Sequence, residues 1–484
     1  MTALEWKPDK NSKTPLHEQI KDFIINKVST GDWYVGFKLP TQRELSELFQ
    51  VNRSTLKSAL EDLTADGILD TNGKGGTFVK NNTWTLFTKS SAPDWRRYLK
   101  SDRLSQNLDI TQSIHNYEYS SDLIRLSTGE LAQDLFPREE FNKTFQSISD
   151  SNFNLNYNHP KGLLPLRESL ARYYKDIGVD VNPSQILVVS GAIQAIYLIS
   201  VGLLPRGTSV LCEVPSYLCS LNIFKSSGVS LSGVQSEFDG VDLTALRSAF
   251  KKNRTSIFYT IPYFQNPTGT RLSDRKRREL LALCHDYRLP VIEDDTYREL
   301  YYDDIPPLPL KASDDFQSVI HVGSASKSLC AGLRVGWIIG QEEIIDKLAD
   351  LKMQIDYGTS TLSQLIFNNL LVSGEYQKNL ARLRHLLREK RDVMLNLLED
   401  GFSDLATWNS PTGGFYVWLK LKPKVCLSAV FEHCIQHGVL INPGYMYDRE
   451  SEDTIRLSFS YAGVTDIEKG LKVLKQAIIH EAKI

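Results

Sequence analysis

From about residue 121 onward, short apolar runs alternate with segments of helical period, and this alternation restricts the fold more than any other feature of the sequence. Each run has the length of a strand, as at Ile186–Val189 and at residues 335–339. Apolar runs separated by helical segments predict a parallel β-sheet covered by helices, an α/β fold. No run approaches the roughly 20 apolar residues that a membrane span needs, so we expect no membrane partner.

The chain of 484 residues is too long for one ordinary core and divides into three zones. Residues 11–80 combine short helical patterns with a Gly-rich end. Residues 81–120 are polar with little periodicity, which predicts a linker with short helices around residues 95–99. The alternating pattern fills residues 121–484, so the chain is predicted to be multidomain.

Charge, cysteine spacing and the N-terminus limit the class of protein. The net charge is −2, and cations equal acids in the first 80 residues, so any DNA contact must depend on the placement of charge. None of the six cysteines forms a CxxC pair, which predicts reduced thiols and no metal site. The first residues lack the apolar segment of a signal peptide, so we predict a cytoplasmic protein.

Three helices are predicted in the N-terminal zone. The first begins after Thr14, which is followed by proline, and ends by Gly31. The second begins at Thr41, which forms a capping-box pattern with Glu44. The third begins near Asn52 after a short turn. With the Gly-rich segment behind them, these helices predict a helix-turn-helix with a β-wing, whose third helix would enter the major groove of DNA.

The segment "KLPTQRELSELFQVNRSTLKSALEDLTADGIL", followed by "GKGGTFV", resembles the GntR-type winged helix over residues 15–80. Alone, each cation in it is more simply explained as a solvated surface charge. The resemblance implies that the residues contacting double-stranded operator DNA are Arg43, Arg53, Ser54, Thr55, Lys57 and Gly75. Lys57 departs from the pattern, because the family more often has arginine there, and lysine lacks the planar fork for a bidentate contact.

Lys327 is the first candidate for chemistry in the large zone. It follows an apolar run and lies among small residues that would let a ligand approach. Most lysines are solvated surface groups, but a partly desolvated lysine can form a Schiff base. Nearby, Arg334 could hold a phosphate and Ser324 could add a hydroxyl.

Asp294 lies at the end of a predicted buried strand. An acid there is either a solvated loop residue or the partner of a pyridinium nitrogen, which would keep the ring protonated as an electron sink. Tyr297 could then offer its hydroxyl to a ring oxygen. Another predicted strand leads into a turn that could bind an anion at a helix N-terminus, formed by Ser190, Gly191 and Ala192.

Three further residues have a structural and a functional interpretation. Tyr217 is either a core aromatic or a ring that stacks on a planar ligand. Asn266 is either a turn former or a ligand contact. Arg456, in an apolar strand, needs an anion partner, which is either a structural carboxylate or the carboxylate of a ligand.

The order of seven segments resembles the signatures of fold type I pyridoxal-phosphate enzymes over residues 150–460: "YNHPKGLLPLRESLARY", "SGAIQAI", "EVPSY", "PYFQNPTG", "IEDDTY", "SASKSLCAGLRVG" and "IRLSFS". The resemblance implies an α/β fold type I domain with a smaller C-terminal α+β subdomain from about residue 345. It implies pyridoxal 5′-phosphate held as an internal aldimine by Lys327, with Arg456 on a substrate or effector carboxylate. Tyr157 would reach the phosphate of a partner subunit in a homodimer.

The remaining cofactor contacts implied by the resemblance are Asp294 at the pyridine nitrogen, Asn266 and Tyr297 near the ring oxygen, Tyr217 on the ring face, and Ser324, Arg334, Ser190, Gly191 and Ala192 at the phosphate. Relatives often have Thr and Gln after the Ser-Gly pair, whereas this chain has Ala192 and Ile193. Two side-chain donors are therefore missing, and backbone N–H groups must hold more of the phosphate.

A winged helix, a linker and an aminotransferase-like domain in that order resemble the MocR subfamily of bacterial regulators, as does "IRLSTGELAQDLFP" at residues 124–137. The resemblance implies a homodimeric transcription regulator with a small amino compound as its effector. A working aminotransferase that carries a DNA-binding domain, with full or half-reaction turnover, stays open as an alternative, and so does a sensor of pyridoxal phosphate itself. The sequence identifies neither the effector nor the operator.

Overall fold

The computed structural model describes most of the chain, in residues 6–10, 12, 14–29, 32–33, 36–72, 76–80, 109–119, 122–150, 156–221, 223–253 and 256–482. Two compact units, residues 1–102 and 103–484, are each described by themselves. Gly75 and most of the predicted linker lie outside the described residues.

The N-terminal unit is a winged helix-turn-helix. Its elements are α1 (Leu16–Ser29), α2 (Gln42–Phe49), α3 (Arg53–Ala65), β1 (Leu69–Asn72) and β2 (Gly76–Val79). The predicted capping box is present: the Thr41 hydroxyl accepts from the Glu44 N–H, and the Glu44 carboxylate accepts from the Thr41 N–H at 2.7 Å. β1 and β2 pair antiparallel, so the predicted helix-turn-helix with its β-wing is confirmed.

Packing extends the N-terminal unit beyond the predicted start at residue 11. Trp6 stacks on Phe23 of α1 with ring centroids 4.2 Å apart and meets Phe49 of α2 edge-on. The Gln19 side chain accepts from the Asp9 N–H at 2.9 Å and donates to the Asp9 carbonyl at 3.0 Å. A lone tryptophan in a polar segment has no periodicity, which is why the pattern did not include it.

An eight-stranded sheet forms the centre of the second unit. Its strands are β4 (Ile186–Val189), β5 (Ser209–Val214), β6 (Ser230–Glu237), β7 (Gly240–Val241), β8 (Ser256–Thr260), β9 (Val291–Asp294), β10 (Val319–Ser324) and β11 (Gly336–Ile339), in the order β4-β11-β10-β9-β8-β5-β6-β7. The pairs from β10 through β6 are parallel, and β11 is antiparallel to both its neighbours. The predicted α/β fold is confirmed.

Helices cover both faces of this sheet. The helices of this part of the chain are α4 (Asp109–Glu118), α5 (Arg138–Ser149), α6 (Leu164–Asp176), α7 (Ala192–Gly202), α8 (Ile223–Ser226), α9 (Leu243–Lys252), α10 (Asp274–Tyr287), α11 (Glu342–Asp356), α12 (Thr361–Val372) and α13 (Glu375–Phe402). Among them, α6, α7, α8, α9 and α11 pack directly on strands of the sheet. Alternate residues of β4 enter different cores: Leu187 and Val189 pack in one, Ile186 and Val188 in the other. All four are fully buried, as expected for a strand covered on both faces.

A smaller α+β part follows. Its elements are β12 (Ala406–Trp408), β13 (Tyr416–Leu421), α14 (Leu427–Gln436), β14 (Val439–Leu440), β15 (Asn442–Pro443), β16 (Thr454–Ser458) and α15 (Val464–Ala482). β12, β13, β16 and β15 form an antiparallel sheet, while β14 pairs in parallel with β3 (Ile124–Arg125). α11 packs on α7 and β4 of the large sheet, so the separate sheet begins well after the predicted boundary near residue 345.

α4 lies inside the range predicted as linker, and its Ile114 is 2% exposed in the core of the second unit. The polar segment therefore gives way to packed structure before residue 120. Among the described residues, none of the helices combines the length and the apolar character required to cross a lipid bilayer.

Candidate functional site

The large sheet brings the predicted site residues to one edge. Because β4, β5, β8, β9 and β10 run in the same direction, their carboxyl ends meet there, which is where open α/β sheets bind ligands. At or just after these ends lie Ser190, Tyr217, Asn266, Asp294 and Ser324. Arg334 reaches the same edge because it precedes β11, the antiparallel strand.

A cavity of about 310 Å³ opens at this edge. The predicted residues that line it are Lys327, Asp294, Tyr297, Asn266, Tyr217, Ala192, Ser324, Arg334 and Arg456. Residues far apart in the chain thus share one space that is large enough for a small ligand.

Lys327 lies just beyond β10, and its Nζ donates a hydrogen bond to the carbonyl oxygen of Gly129 at 2.5 Å. A Cβ at position 129 would lie 2.4 Å from the Tyr416 hydroxyl oxygen and 3.7 Å from the Lys327 Nζ. Glycine is therefore required for this close approach. Neither Gly129 nor Tyr416 was predicted.

Asp294 is a buried carboxylate at the end of β9. Its Oδ2 accepts from the Tyr259 hydroxyl at 2.7 Å, and its Oδ1 accepts from the hydroxyl and the N–H of Thr296. Burial raises the pKa of Asp294, while the hydrogen bonds from Thr296 and Tyr259 act in the opposite direction. Such a carboxylate is ready to pair with a cation in the cavity.

Tyr297 lies opposite Tyr416, with their hydroxyl oxygens 3.0 Å apart. Burial raises the pKa of Tyr297 well above its usual value. Burial also raises the pKa of Tyr217 to about 12. Both phenols therefore stay protonated near neutral pH and can donate hydrogen bonds.

The turn after β4 differs in detail from the prediction. Gly191 has φ +88°, and a Cβ there would lie 2.5 Å from the Arg334 Nη2. Arg334 Nη2 donates to the Ser190 carbonyl at 2.9 Å, while the Ser190 N–H donates to the Gln194 Oε1 at 2.7 Å. The Ser190 amide is thus engaged, which leaves the first N–H groups of α7, beginning at Ala192, for an anion.

Two hydroxyls complete this anion-binding part. The Ser324 Oγ donates to the Ser326 Oγ at 3.0 Å, and the Arg334 Nη1 lies 3.4 Å from the same Ser326 oxygen. One guanidinium, two hydroxyls and a helix N-terminus therefore face one corner of the cavity, and this donor set suits a phosphate.

Arg456 in β16 is 5% exposed. Its Nη1 donates to the Asn266 Oδ1 at 2.8 Å, and its guanidinium lies 4.2 Å from the Tyr416 ring centroid and 4.9 Å from that of Tyr447. The Nε has no hydrogen-bond partner within the described part of the chain. No carboxylate of the described residues lies within ion-pair distance of Arg456, so the structural-carboxylate interpretation finds no support there.

Tyr157 does not line the cavity of its own chain. Its side chain is 85% exposed and meets only the ring of Tyr357 at 5.1 Å among the aromatic contacts of the described residues. A role toward a second subunit stays a prediction.

The predicted DNA contacts other than Gly75, which is outside the described residues, lie on α2 and α3 of the N-terminal unit. Arg53 is exposed, and the Asn52 Oδ1 caps α3 by accepting from the Thr55 N–H at 2.8 Å and the Ser54 hydroxyl at 3.0 Å. Lys57 pairs with Glu61 at 3.5 Å, four residues along. Arg43 and Glu47 form a similar pair at 3.2 Å, so both cations have exposed partners that a phosphate would displace.

Residues 16–79 match the gntR family of bacterial regulatory proteins, and residues 121–474 match the family of class I and II aminotransferases. The HTH-type transcriptional regulator YisV of Bacillus subtilis is 43% identical over 472 residues, which cover 98% of each chain. The HTH-type transcriptional regulator NorG of Staphylococcus aureus is 32% identical over 90% of this chain and 98% of its own. This chain belongs to the MocR-type regulators.

Among solved structures, kynurenine aminotransferase of Pyrococcus horikoshii superposes on this MocR-type chain with a TM-score of 0.77 at 29% identity, covering 82% of this chain and 100% of its own. That enzyme was solved with PMP and kynurenine. The match confirms the predicted fold type I domain.

The site of this MocR-type chain fits pyridoxal 5′-phosphate on its own geometry. Lys327 would bind the aldehyde carbon, and the buried Asp294 would pair with the ring nitrogen. The corner formed by Arg334, Ser324 and the start of α7 would hold the phosphate, and Gly191 lets the Arg334 guanidinium approach this corner, because a Cβ there would lie 2.5 Å from its Nη2.

Sequence reasoning missed several residues of the site. Tyr259 in β8 and Tyr416 in β13 look like ordinary core aromatics, because each lies in a buried strand. Ser326 could have been found, since it is one residue before Lys327. The cavity-facing residues of α4 had no signal, because that segment reads as a linker.

Proposed function

We propose that this MocR-type regulator binds operator DNA through its winged helix and senses a primary amine that bears a carboxylate. One observation carries the proposal: Lys327 and Arg456 line the same cavity, and Arg456 has no acidic partner among the described residues. A buried guanidinium without a carboxylate is costly, and a ligand carboxylate would satisfy it.

Pyridoxal 5′-phosphate is the cofactor of this domain. When bound, it supplies an aldehyde carbon that reacts reversibly with primary amines and a ring that accepts electrons. Asp294 would keep the ring nitrogen protonated, Arg334 and Ser324 would hold the phosphate, and Tyr217 would cover the ring. Lys327 and an effector amine would compete for this aldehyde carbon, so the Lys327 amine would be free when the effector is bound.

A homodimer is supported by an exposed apolar stripe on α7. Ile193, Tyr197 and Val201 recur every four residues and are 44%, 38% and 40% exposed. Tyr157 is also exposed. Such a stripe on a helix that begins at the cavity suits a second copy of the chain, from which Tyr157 would reach the phosphate.

An amine would alter DNA binding by changing the arrangement of the large and small sheets of the second unit. An effector changes an equilibrium only through different affinities for its two states. With Arg456 on β16 and Lys327 beyond β10, a ligand that bridges them links the small sheet to the large one and favours their closed arrangement. We place this activity in the cytoplasm, where bacterial DNA is found.

A working aminotransferase is the second candidate, because Lys327, Asp294 and Arg456 are also the groups that transamination needs. A sensor of the cofactor alone is the third. Steady-state turnover with a series of 2-oxo acids would support the enzyme, and a change in DNA binding on adding pyridoxal phosphate alone would support the cofactor sensor.

The proposal is tested by absorption spectra and DNA binding of the wild type, Lys327→Ala and the exposed control Lys347→Ala. The band of lysine-bound cofactor should appear in the wild type and the control only. An amine that shifts this band should change the affinity for a duplex selected from a random library in the same two proteins. Retained amine response in Lys327→Ala would refute the mechanism, whereas its DNA binding without amine should persist.

A further inference from the structure

α4 forms one wall of the cavity although it lies before residue 121, where the match to the aminotransferase family begins. Thr111, Ile114, His115 and Glu118 line the cavity. Their spacing of three, four and seven residues places them on one helical face. This MocR-type chain therefore covers its site with a helix outside that match.

The wall formed by α4 is polar, and one of its hydroxyl groups has no hydrogen-bond partner among the described residues. Thr111 is 5% exposed, and its hydroxyl oxygen has no hydrogen-bond partner among the described residues. Glu118 is half-buried, and its Oε1 accepts from the hydroxyl of the buried Thr128 at 3.2 Å. A buried hydroxyl without a partner is uncommon in folded proteins, and a ligand group would satisfy it.

Glu118 and Arg456 act on each other across the cavity. Burial lowers the pKa of Arg456, but the tyrosines around it and the charge of Glu118 raise it, and the net shift is upward. The two side chains nevertheless form no direct ion pair, since the guanidinium is bound to Asn266 and to a backbone carbonyl. Space between opposite charges is therefore left for a ligand that carries both signs.

The charges that remain after the cofactor is bound favour a basic ligand. The cofactor engages Lys327, Asp294 and Arg334, and the ligand carboxylate engages Arg456. Glu118 is then the half-buried carboxylate without a cation. A charge-assisted hydrogen bond from an ammonium group to a carboxylate is about twice as strong as a neutral one.

We propose that the effector is a diaminocarboxylic acid, whose second ammonium group binds Glu118 while its carboxylate binds Arg456 and its other amine reaches the cofactor. The inference rests on the proposed function and adds the class of the ligand. The Thr111 hydroxyl oxygen would accept a further hydrogen bond from this ammonium group.

Spectral titration of the full-length protein loaded with cofactor tests the inference. The probes are 2,5-diaminopentanoic acid, 2-aminopentanoic acid, which lacks the second amine, and 1,4-diaminobutane, which lacks the carboxylate. In the wild type, the diamino acid should reach half-saturation at a concentration at least about tenfold lower than either comparison compound, as expected for one hydrogen bond to a charged group. The affinity for DNA should change over the same concentration range.

Glu118→Gln should abolish this preference for the diamino acid over 2-aminopentanoic acid, and Glu118→Asp should restore part of it. Glu130→Gln is the matched control, because it removes the same charge from an exposed residue that lines the same cavity. It should leave the preference within about twofold, as expected for a solvated charge.

Equal half-saturation by the two amino acids in the wild type would overturn the inference while leaving the proposed amine sensor intact. An unchanged preference of Glu118→Gln for the diamino acid would also overturn the inference and leave the proposed amine sensor intact. If no amine shifts the cofactor band or DNA binding, the proposed function fails and the inference fails with it. If Glu118→Gln does not fold, Thr111→Val gives the second test, and it should weaken binding of the diamino acid more than that of 2-aminopentanoic acid.

Discussion

Glu213 in β5 gives a stability prediction that is independent of the site chemistry. The side chain is 5% exposed, and its Oε2 accepts from the Thr260 hydroxyl at 2.7 Å. Burial raises the pKa of Glu213 from 4.5 to about 7, although the hydrogen bonds from Thr260 and the Ile261 N–H oppose the shift. At neutral pH and above, the folded protein must keep a buried carboxylate ionised.

The direction in which stability changes with pH follows from the pKa of Glu213 in the folded state and in the unfolded state. Between about pH 4.5 and 7 the folded state holds a proton that the unfolded state has released, so the free energy of unfolding falls as the pH rises. Below this pH window the protonated Glu213 makes its full contribution to the free energy of unfolding, and above the window this contribution is lost. The raised pKa corresponds to about 3 kcal/mol of lost stability above pH 8, and most of this change falls between pH 5 and 8.5.

Glu213→Gln removes the titration and keeps the shape of the protonated side chain. The stability that the variant gains over the wild type should be about 2 to 3 kcal/mol larger at pH 8.5 than at pH 5. Urea denaturation followed by circular dichroism measures this difference. The exposed Glu399→Gln is the control, and its effect should be the same at both pH values. Equal effects of Glu213→Gln at both pH values would refute the argument that burial sets this pKa.

Four substitutions test other parts of the structure. Gly191→Ala places a Cβ 2.5 Å from a guanidinium nitrogen at a φ of +88°, so cofactor affinity in equilibrium dialysis should fall by about tenfold or more. Tyr259→Phe removes the 2.7 Å hydrogen bond to Asp294 and should raise the pKa of that carboxyl further, seen as a displaced pH profile of the cofactor absorbance. Trp6→Ala should destabilise the N-terminal unit by about 2 kcal/mol, and unchanged sensitivity of that unit to proteolysis would contradict the packing. Arg53→Ala should lower the salt dependence of DNA binding by about one in the log–log slope, and an unchanged slope would remove it from the contacts.

The sequence predicted the fold well where the local pattern and the packing agree. β4 is a continuous apolar run because helices cover both its faces. Thr41 and Glu44 marked the start of α2 because the cap is made by residues three apart. Most of the predicted residues that line the cavity were recognisable because they lie at or shortly after the end of a strand, whereas Arg456 lies within β16. Such signals are local, and the chain order arranges them at one sheet edge.

Other parts of the site have no local signal. Tyr259 lies in the buried strand β8 and looks like a core aromatic. Its hydrogen bond to Asp294 forms because β9 pairs with β8, and this pairing cannot be seen in the local sequence. α4 reads as a linker because the face turned to the cavity carries threonine, histidine and glutamate, with Ile114 as the apolar residue. A helix that covers a polar cavity lacks the apolar stripe by which helices are recognised. Its contribution becomes visible only in three dimensions.

The departure at Ala192 and Ile193 has a structural counterpart in the next residue. The Gln194 Oε1 accepts from the Ser190 N–H at 2.7 Å, and its Nε2 donates to Asp356 at the end of α11 at 2.5 Å. The turn that we assign to the phosphate is therefore held by the Gln194 side chain, which lies outside the cavity. Ile193 lines the cavity and is 44% exposed on the stripe that we assign to the dimer. A second subunit that covers Ile193 would exclude water from the phosphate corner, so cofactor affinity and dimer formation should be coupled in this chain.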